Sequence, residues 1–204
     1  QFSFKSVGIQ AQGRTTILKI NYRNTKQILT TASLIAADLL NADDQDDDGI
    51  PLVHPVSCGS EGNEPLLIKL PSLRDEAYKI SELLSNAHQE GHAWGDMAII
   101  CRDWATMDIC ANALSQRKLP HRMRKKPGDF DPQSDTITIM TMHASKGLEF
   151  PVVALPGVGQ MPKPGEDIHE EARLFYAAAT RATNRLLITL SGDGEFGRRL
   201  SQGQ

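Results

Sequence analysis

The chain predicts an α/β fold, a mostly parallel sheet with helices on both faces. Short apolar runs alternate with amphipathic stretches of helical period along nearly the whole length. One run, 97–101, is wholly apolar, as befits a strand buried on both faces of a parallel sheet. A polar loop at 141–150 leaves one apolar segment and enters the next, and loops at strand ends are where α/β sheets bind ligands.

The elements follow in order. Residues 15–20 (TTILKI) read as a strand. Thr25 then suits an N-cap for a helix running to about Leu40, with Ile28, Leu29, Ala32, Ile35, Ala36 and Leu39 on one face. Residues 41–65, rich in Asp, Gly and Pro, read as a loop, and 66–70 as a strand. Residues 72–90 form an amphipathic helix with Ala77, Ile80, Leu83 and Leu84 inward, and Gly91 stands where a C-terminal cap glycine belongs. After the strand at 97–101 come a helix at 104–116 and an edge strand at 120–124, where Pro120 and the charges suit an edge. Strands at 136–141 and 151–155 flank the polar loop. Residues 156–167 read as a loop, 170–182 as a helix, 185–190 as the last strand and 191–204 as a frayed tail. The expected division is an N-terminal segment at 1–14, one domain at 15–190 and a C-terminal tail at 191–204.

Size and composition bound the function. The 204 residues suffice for one α/β domain with a proper core, and 40% hydrophobic with 23% charged residues is ordinary for a globular protein. No apolar stretch approaches the ~18 residues of a membrane span, so no membrane partner is expected. The opening on Gln1 suggests a fragment of a longer protein. Cys58, Cys101 and Cys110 lack metal-ligand spacing and read as reduced intracellular thiols, in keeping with a cytoplasmic protein. The net charge of −3 argues against a protein that coats DNA. The charge is unevenly placed, however. Arg117, Lys118, Arg122, Arg124, Lys125 and Lys126 form a basic cluster, either a solvated edge or a phosphate-contacting surface.

Two partial motifs are set aside. Residues 8–15 nearly match a phosphate loop, but Arg14 stands where Lys is needed and a strand rather than a helix follows. Asp44, Asp46, Asp48 and Gly49 match the front of a calcium loop, but Pro55 occupies the position of its closing Glu. No metal site is expected in the chain.

Two stretches carry chemistry. The loop from Thr141 to Phe150 offers a hydroxyl, an imidazole, the ammonium of Lys146, the flexible Gly147 and the carboxylate of Glu149, a set suited to phosphate and ribose. His143 alone would read as a structural histidine, and only its company raises it. In the stretch from Glu170 to Ala182, the acidic pair Glu170 and Glu171 favours a helix N-terminus. Arg181 follows Leu174 by seven residues, which places both on nearly one helix face. An arginine so placed is either snorkelling or paired, or it reaches across an interface towards an anion.

Together, Asn21-Tyr22-Arg23-Asn24-Thr25, the Thr141–Phe150 run and the Glu170–Ala182 run resemble motifs IV, V and VI of superfamily 1 DNA helicases of the UvrD/Rep type. The resemblance implies the second RecA-like domain of such an enzyme, a P-loop NTPase fold without its own phosphate loop. It implies that Tyr22 stacks on adenine, Arg23 reaches the γ-phosphate, Glu149 binds ribose beside Gly147, and Arg181 is an arginine finger. Such a finger is worth about a thousandfold or more in rate. Thr141, His143 and Lys146 would lie along single-stranded DNA. ATP, with Mg2+ held mainly by an N-terminal RecA-like domain of the same parent protein, would complete the site.

The sequence departs from that family at Ala172, where a further Arg is usual, and at Ala177, where a bulkier residue is usual. Only residues 102–136 lie where the family carries a large helical insertion. The expected function is that of a C-terminal motor domain of an ATP-dependent helicase or translocase moving 3′→5′, inactive as an isolated fragment. The alternative is a non-hydrolysing nucleic-acid-binding or interaction module on a helicase-like fold.

Overall fold

The computed structural model describes residues 24–40, 60–129 and 131–203. The expected strand at 15–20, the phosphate-loop-like segment, Tyr22, Arg23, the acidic run and Cys58 all lie outside the described residues. The described elements are helices α1 (Lys26–Ala36), α2 (Leu73–Gln89), α3 (Trp104–Gln116), α4 (Ile168–Ala179) and α5 (Glu195–Gln202). The strands are β1 (Leu66–Lys69), β2 (Met97–Cys101), β3 (His121–Met123), β4 (Ile137–Thr141), β5 (Phe150–Leu155) and β6 (Ala182–Leu190).

The six strands form one sheet in the order β1-β6-β5-β2-β4-β3, and every described pairing in it is parallel. β2 sits inside the sheet with all five residues buried, as its unbroken apolar run requires. β3 closes one edge, where Arg122 and the preceding Pro120 are tolerated. Side chains alternate between two cores with the period of two that a strand imposes. Ala98, Ile100, Val153 and Leu155 face α1, α4 and α5. Met97, Ile99, Cys101, Val152 and Ala154 face α2 and α3.

The N-cap read in the sequence holds: Thr25 accepts a hydrogen bond from Ile28 N in the first turn of α1. The structure adds two more, Ser72 accepting from Asp75 N at the start of α2 and Asp103 from Thr106 N at the start of α3. Gly91 follows α2 at φ 112°, a left-handed conformation that glycine adopts without strain.

Three expectations change. The helix expected at 170–182 starts earlier, on the Asp167 cap, and stops at Ala179. Thr180 caps it by turning its hydroxyl back onto the carbonyls of Tyr176 and Ala177, and β6 already begins at Ala182. Arg181 therefore stands in the helix-to-strand link, not on a helix face with Leu174. The loop at 156–167 contains a 3-10 turn, Val158–Gln160. The frayed tail is instead α5, whose Phe196 and Leu200 are fully buried against the α1 and α4 side of the sheet. Phe175 meets Phe196 edge-on at 6.3 Å between ring centroids.

Candidate functional site

The link between α4 and β6 is held from every side. The backbone N–H of Arg181 donates to Ala178 O at 3.1 Å, and Arg181 O accepts from Phe150 N at 2.9 Å. Its guanidinium donates through Nε to Ala177 O at 2.9 Å and through Nη1 to Leu148 O at 3.3 Å. Asn24 Nδ2 donates to Thr180 O at 2.7 Å and to Ala182 O at 2.9 Å, the two carbonyls that flank Arg181. Asn24 is only 2% exposed, so both bonds are shielded from water.

The segment 142–149 reaches this link from the far end of the sheet. β4 and β5 run parallel with β2 between them, so the chain leaving β4 must return to the start of β5. In register, Thr141 is level with Cys101, and Phe150 lies below the start of β2. The return covers about six residue levels, or about 20 Å at strand spacing. It does so in eight residues without a helix, using one 3-10 turn, His143–Ser145. Met142 N donates to Cys101 O at 2.8 Å, Ser145 Oγ to Met142 O at 2.7 Å, and Leu148 N to Ser145 O at 3.0 Å. Ala144 and Leu148 pack onto the core, while His143, Lys146, Gly147 and Glu149 are exposed. Gly147 takes φ 74°; a Cβ there would meet nothing within 4 Å, so conformation rather than space calls for glycine.

The structure thus sorts the candidate residues. Gly147, Glu149 and Arg181 gather where β5 and β6 begin: Glu149 lies between Leu148 and Phe150, both of which bond Arg181. Thr141 and His143 stand at the opposite strand ends, where β4 finishes and Thr141 Oγ1 accepts from Ala144 N at 3.2 Å. Lys146 lies on the crossing between them. Asn24 was given no role from the sequence. An amide beside a helix cap reads as local, and nothing in the chain names partners 156 and 158 positions away.

The strand ends on the Thr141 side carry their own polar framework. Arg102 Nε meets Glu171 Oε2 at 2.6 Å, and Lys163 N donates to Glu171 Oε1 at 2.7 Å. Burial pushes the Asp103 carboxyl up, but the N–H and hydroxyl of Thr106 and the ammonium of Lys163 outweigh it and hold the group below its ordinary range. Glu76 is fully buried and accepts from Gly157 N at 2.9 Å, from Thr189 Oγ1 at 2.8 Å and from Ser191 Oγ. Its burial raises the pKa against those donors. Much of the basic cluster is paired: Arg122 with Asp131 and Lys125 with Asp108, each at 3.8 Å, and Arg117 over the Tyr78 ring at 5.0 Å. Arg124 Nη1 donates to Ala144 O at 3.1 Å and so braces the 142–149 segment.

Among the described residues no group of three or more His, Cys, Asp or Glu side chains could hold a metal ion. No described helix is long and apolar enough to cross a membrane. What the Arg181 end of the sheet offers is a guanidinium held by backbone carbonyls, near an exposed carboxylate and a tight glycine turn. Chemically, a guanidinium can meet an anionic group and a carboxylate can accept from hydroxyls.

Comparison with known proteins bears on this site. The model of the UvrD-like helicase C-terminal domain matches residues 16–133 and 124–193. The ATP-dependent DNA helicase srs2 of Schizosaccharomyces pombe is 38% identical over 88 residues, 42% of this chain and 9% of that protein. The ATP-dependent DNA helicase Rep of Escherichia coli K12 is 42% identical over 69 residues, 31% of this chain and 10% of that protein. The ATP-dependent DNA helicase PcrA of Leuconostoc citreum is 44% identical over 68 residues, 30% of this chain and 9% of that protein. The matched stretch is therefore about a tenth of each relative's length. The crystal structure of the C-terminal domain of a possible DNA helicase from Lactobacillus plantarum WCFS1 superposes with a TM-score of 0.63 at 19% identity. It covers 88% of this chain and 93% of that one, a likeness of fold.

Proposed function

From the premise that the chain belongs to the UvrD-like helicase C-terminal domain family, we propose that it is the second motor domain of an ATP-dependent DNA helicase or translocase. ATP binds between this domain and an N-terminal domain of the same parent protein. In this reading that partner supplies the phosphate loop and the acidic residues for Mg2+. The observation that carries the reading is the anchoring of Arg181 where α4, residues 148–150 and Asn24 converge.

When the two domains close on ATP, Arg181 meets the terminal phosphate and neutralises charge that shifts during transfer to water. Arg23, one residue before Asn24 in the chain, joins it, and Tyr22 stacks on the adenine. Glu149 takes a ribose hydroxyl, with the Gly147 turn giving the backbone close approach. Thr141 and His143, at the opposite strand ends, and Lys146, on the crossing, contact single-stranded DNA. The crossing 142–149 spans both sites in eight residues and is packed at Ala144 and Leu148, so little slack separates them. Opening after hydrolysis then shifts the domain along the strand in the 3′→5′ direction.

The test uses the full-length parent protein. Arg181→Ala should lower DNA-stimulated ATP hydrolysis about a thousandfold while nucleotide binding is largely kept. Undiminished turnover would remove Arg181 from the mechanism. The isolated domain should hydrolyse no ATP. Salt-sensitive, ATP-indifferent binding of single strands by the parent would favour a non-hydrolysing binding module instead.

A further inference from the structure

We propose that Asn24 is the positioning residue for Arg181, setting through the backbone where the guanidinium stands. The inference rests on the reading that Arg181 meets a terminal phosphate. Asn24 is not the cap of α1; Thr25 is, through its hydroxyl on Ile28 N. Nor does its amide N–H pair serve its own neighbourhood, since both donations run to the α4–β6 link. A primary amide carries two N–H donors, and the two acceptors are the carbonyls immediately before and after Arg181. Thr180 O belongs to the end of α4, and Ala182 opens β6. One side chain therefore spans the junction at which the chain changes from helical to extended and fixes the peptide planes on both sides of Arg181. Hydrogen bonds from Arg181 N and to Arg181 O hold the same residue from α4 and β5. With the main chain pinned, the guanidinium pivots only about its own torsions, from a fixed Cα.

A second consequence follows from chain order. Asn24 immediately precedes the Thr25 cap of α1, so its two bonds tie the start of that helix to the Arg181 link. Misplacing a reacting group by about 1 Å costs about a hundredfold in rate.

The experiment is a double-mutant cycle in the full-length parent protein, read as DNA-stimulated ATP hydrolysis. Asn24→Ala should lower kcat about 10- to 100-fold and leave KM for ATP within about twofold. Asn24→Asp, which keeps the shape but has no N–H to donate, should lose as much. On an Arg181→Ala background the further loss from Asn24→Ala should be under about twofold, because the residue it positions is gone. If Asn24→Ala does not fold, Asn24→Ser, which keeps one donor, takes its place in the cycle. Full turnover in a folded Asn24 variant overturns the proposal, as does a loss carried undiminished onto Arg181→Ala. Full turnover in Arg181→Ala alone would instead overturn the role given to Arg181 itself.

Discussion

Arg102 and Glu171, 69 positions apart in sequence, meet at 2.6 Å and tie the end of β2 to the first turn of α4. The Glu171 side chain is 1% exposed and that of Arg102 15%. Lys163 N completes the carboxylate, so the loop at 156–167 is fastened at the same point. Arg102→Ala strands a buried carboxylate that keeps the Lys163 N–H as a donor. The expected loss is about 3–5 kcal/mol of stability, read by urea unfolding. Arg102→Met combined with Glu171→Leu should recover much of it, because two apolar side chains avoid the desolvation of two charges. A double variant as unstable as the single one would contradict this account.

Glu76 gives a pH dependence with a definite sign. Burial raises its pKa above the ordinary 4.5, although Gly157, Ser191 and Thr189 donate to it. The folded state thus holds this proton more tightly than the unfolded chain. The group's contribution to stability is full below about 4.5 and is lost as pH rises through the folded-state value. Glu76→Gln removes the titration, and the Ser191 hydroxyl can turn to accept from the new amide. Urea midpoints of wild type and Glu76→Gln, measured from pH 4 to 7, should diverge in favour of the variant as pH rises. Parallel curves would show that the donors cancel the burial.

Gly147→Ala separates strain from crowding. The site has open space around it but a φ of 74°. An alanine there should cost about 1–2 kcal/mol from the left-handed backbone alone. Because the turn lies between Lys146 and Glu149, ATP binding in the parent protein should weaken together with stability. A variant as stable as the wild type would mean that the turn relaxes to negative φ at no cost.

Phe196→Ala tests the last helix. Phe196 is fully buried and packs edge-on with Phe175 of α4. Its truncation should cost about 3–5 kcal/mol. Leu200→Ala, equally buried, should cost about 2–5 kcal/mol. A melting temperature unchanged in both would show that α5 does not belong to the core.

Most of the fold was legible because its signals are local. The apolar run of β2, the period of α2, the Thr25 cap and the Gly91 stop depend on neighbours within a few positions, and each stands where expected. Two boundaries were not legible. Three consecutive alanines, 177–179, prolong a helical pattern that carries no stop signal of Gly or Pro, so the end at Ala179 depends on Thr180 and on pairing with β5. The last helix follows Gly192 and Gly194, which read as loop, and its few apolar residues mean little until a sheet face receives them.

By itself the order of residues determined the class of fold, the two-faced parallel sheet and the three stretches that place the chain in its family. Only folding decided which of those stretches touch. Residues 148 and 150 were brought onto Arg181, Thr141 and His143 were sent to the opposite strand ends, and Asn24 was joined to a junction 156 positions away. The physical reason is that caps and periodicity are written within one or two turns of chain. A buried amide's partners are chosen instead by which carbonyls the packed sheet leaves unsatisfied.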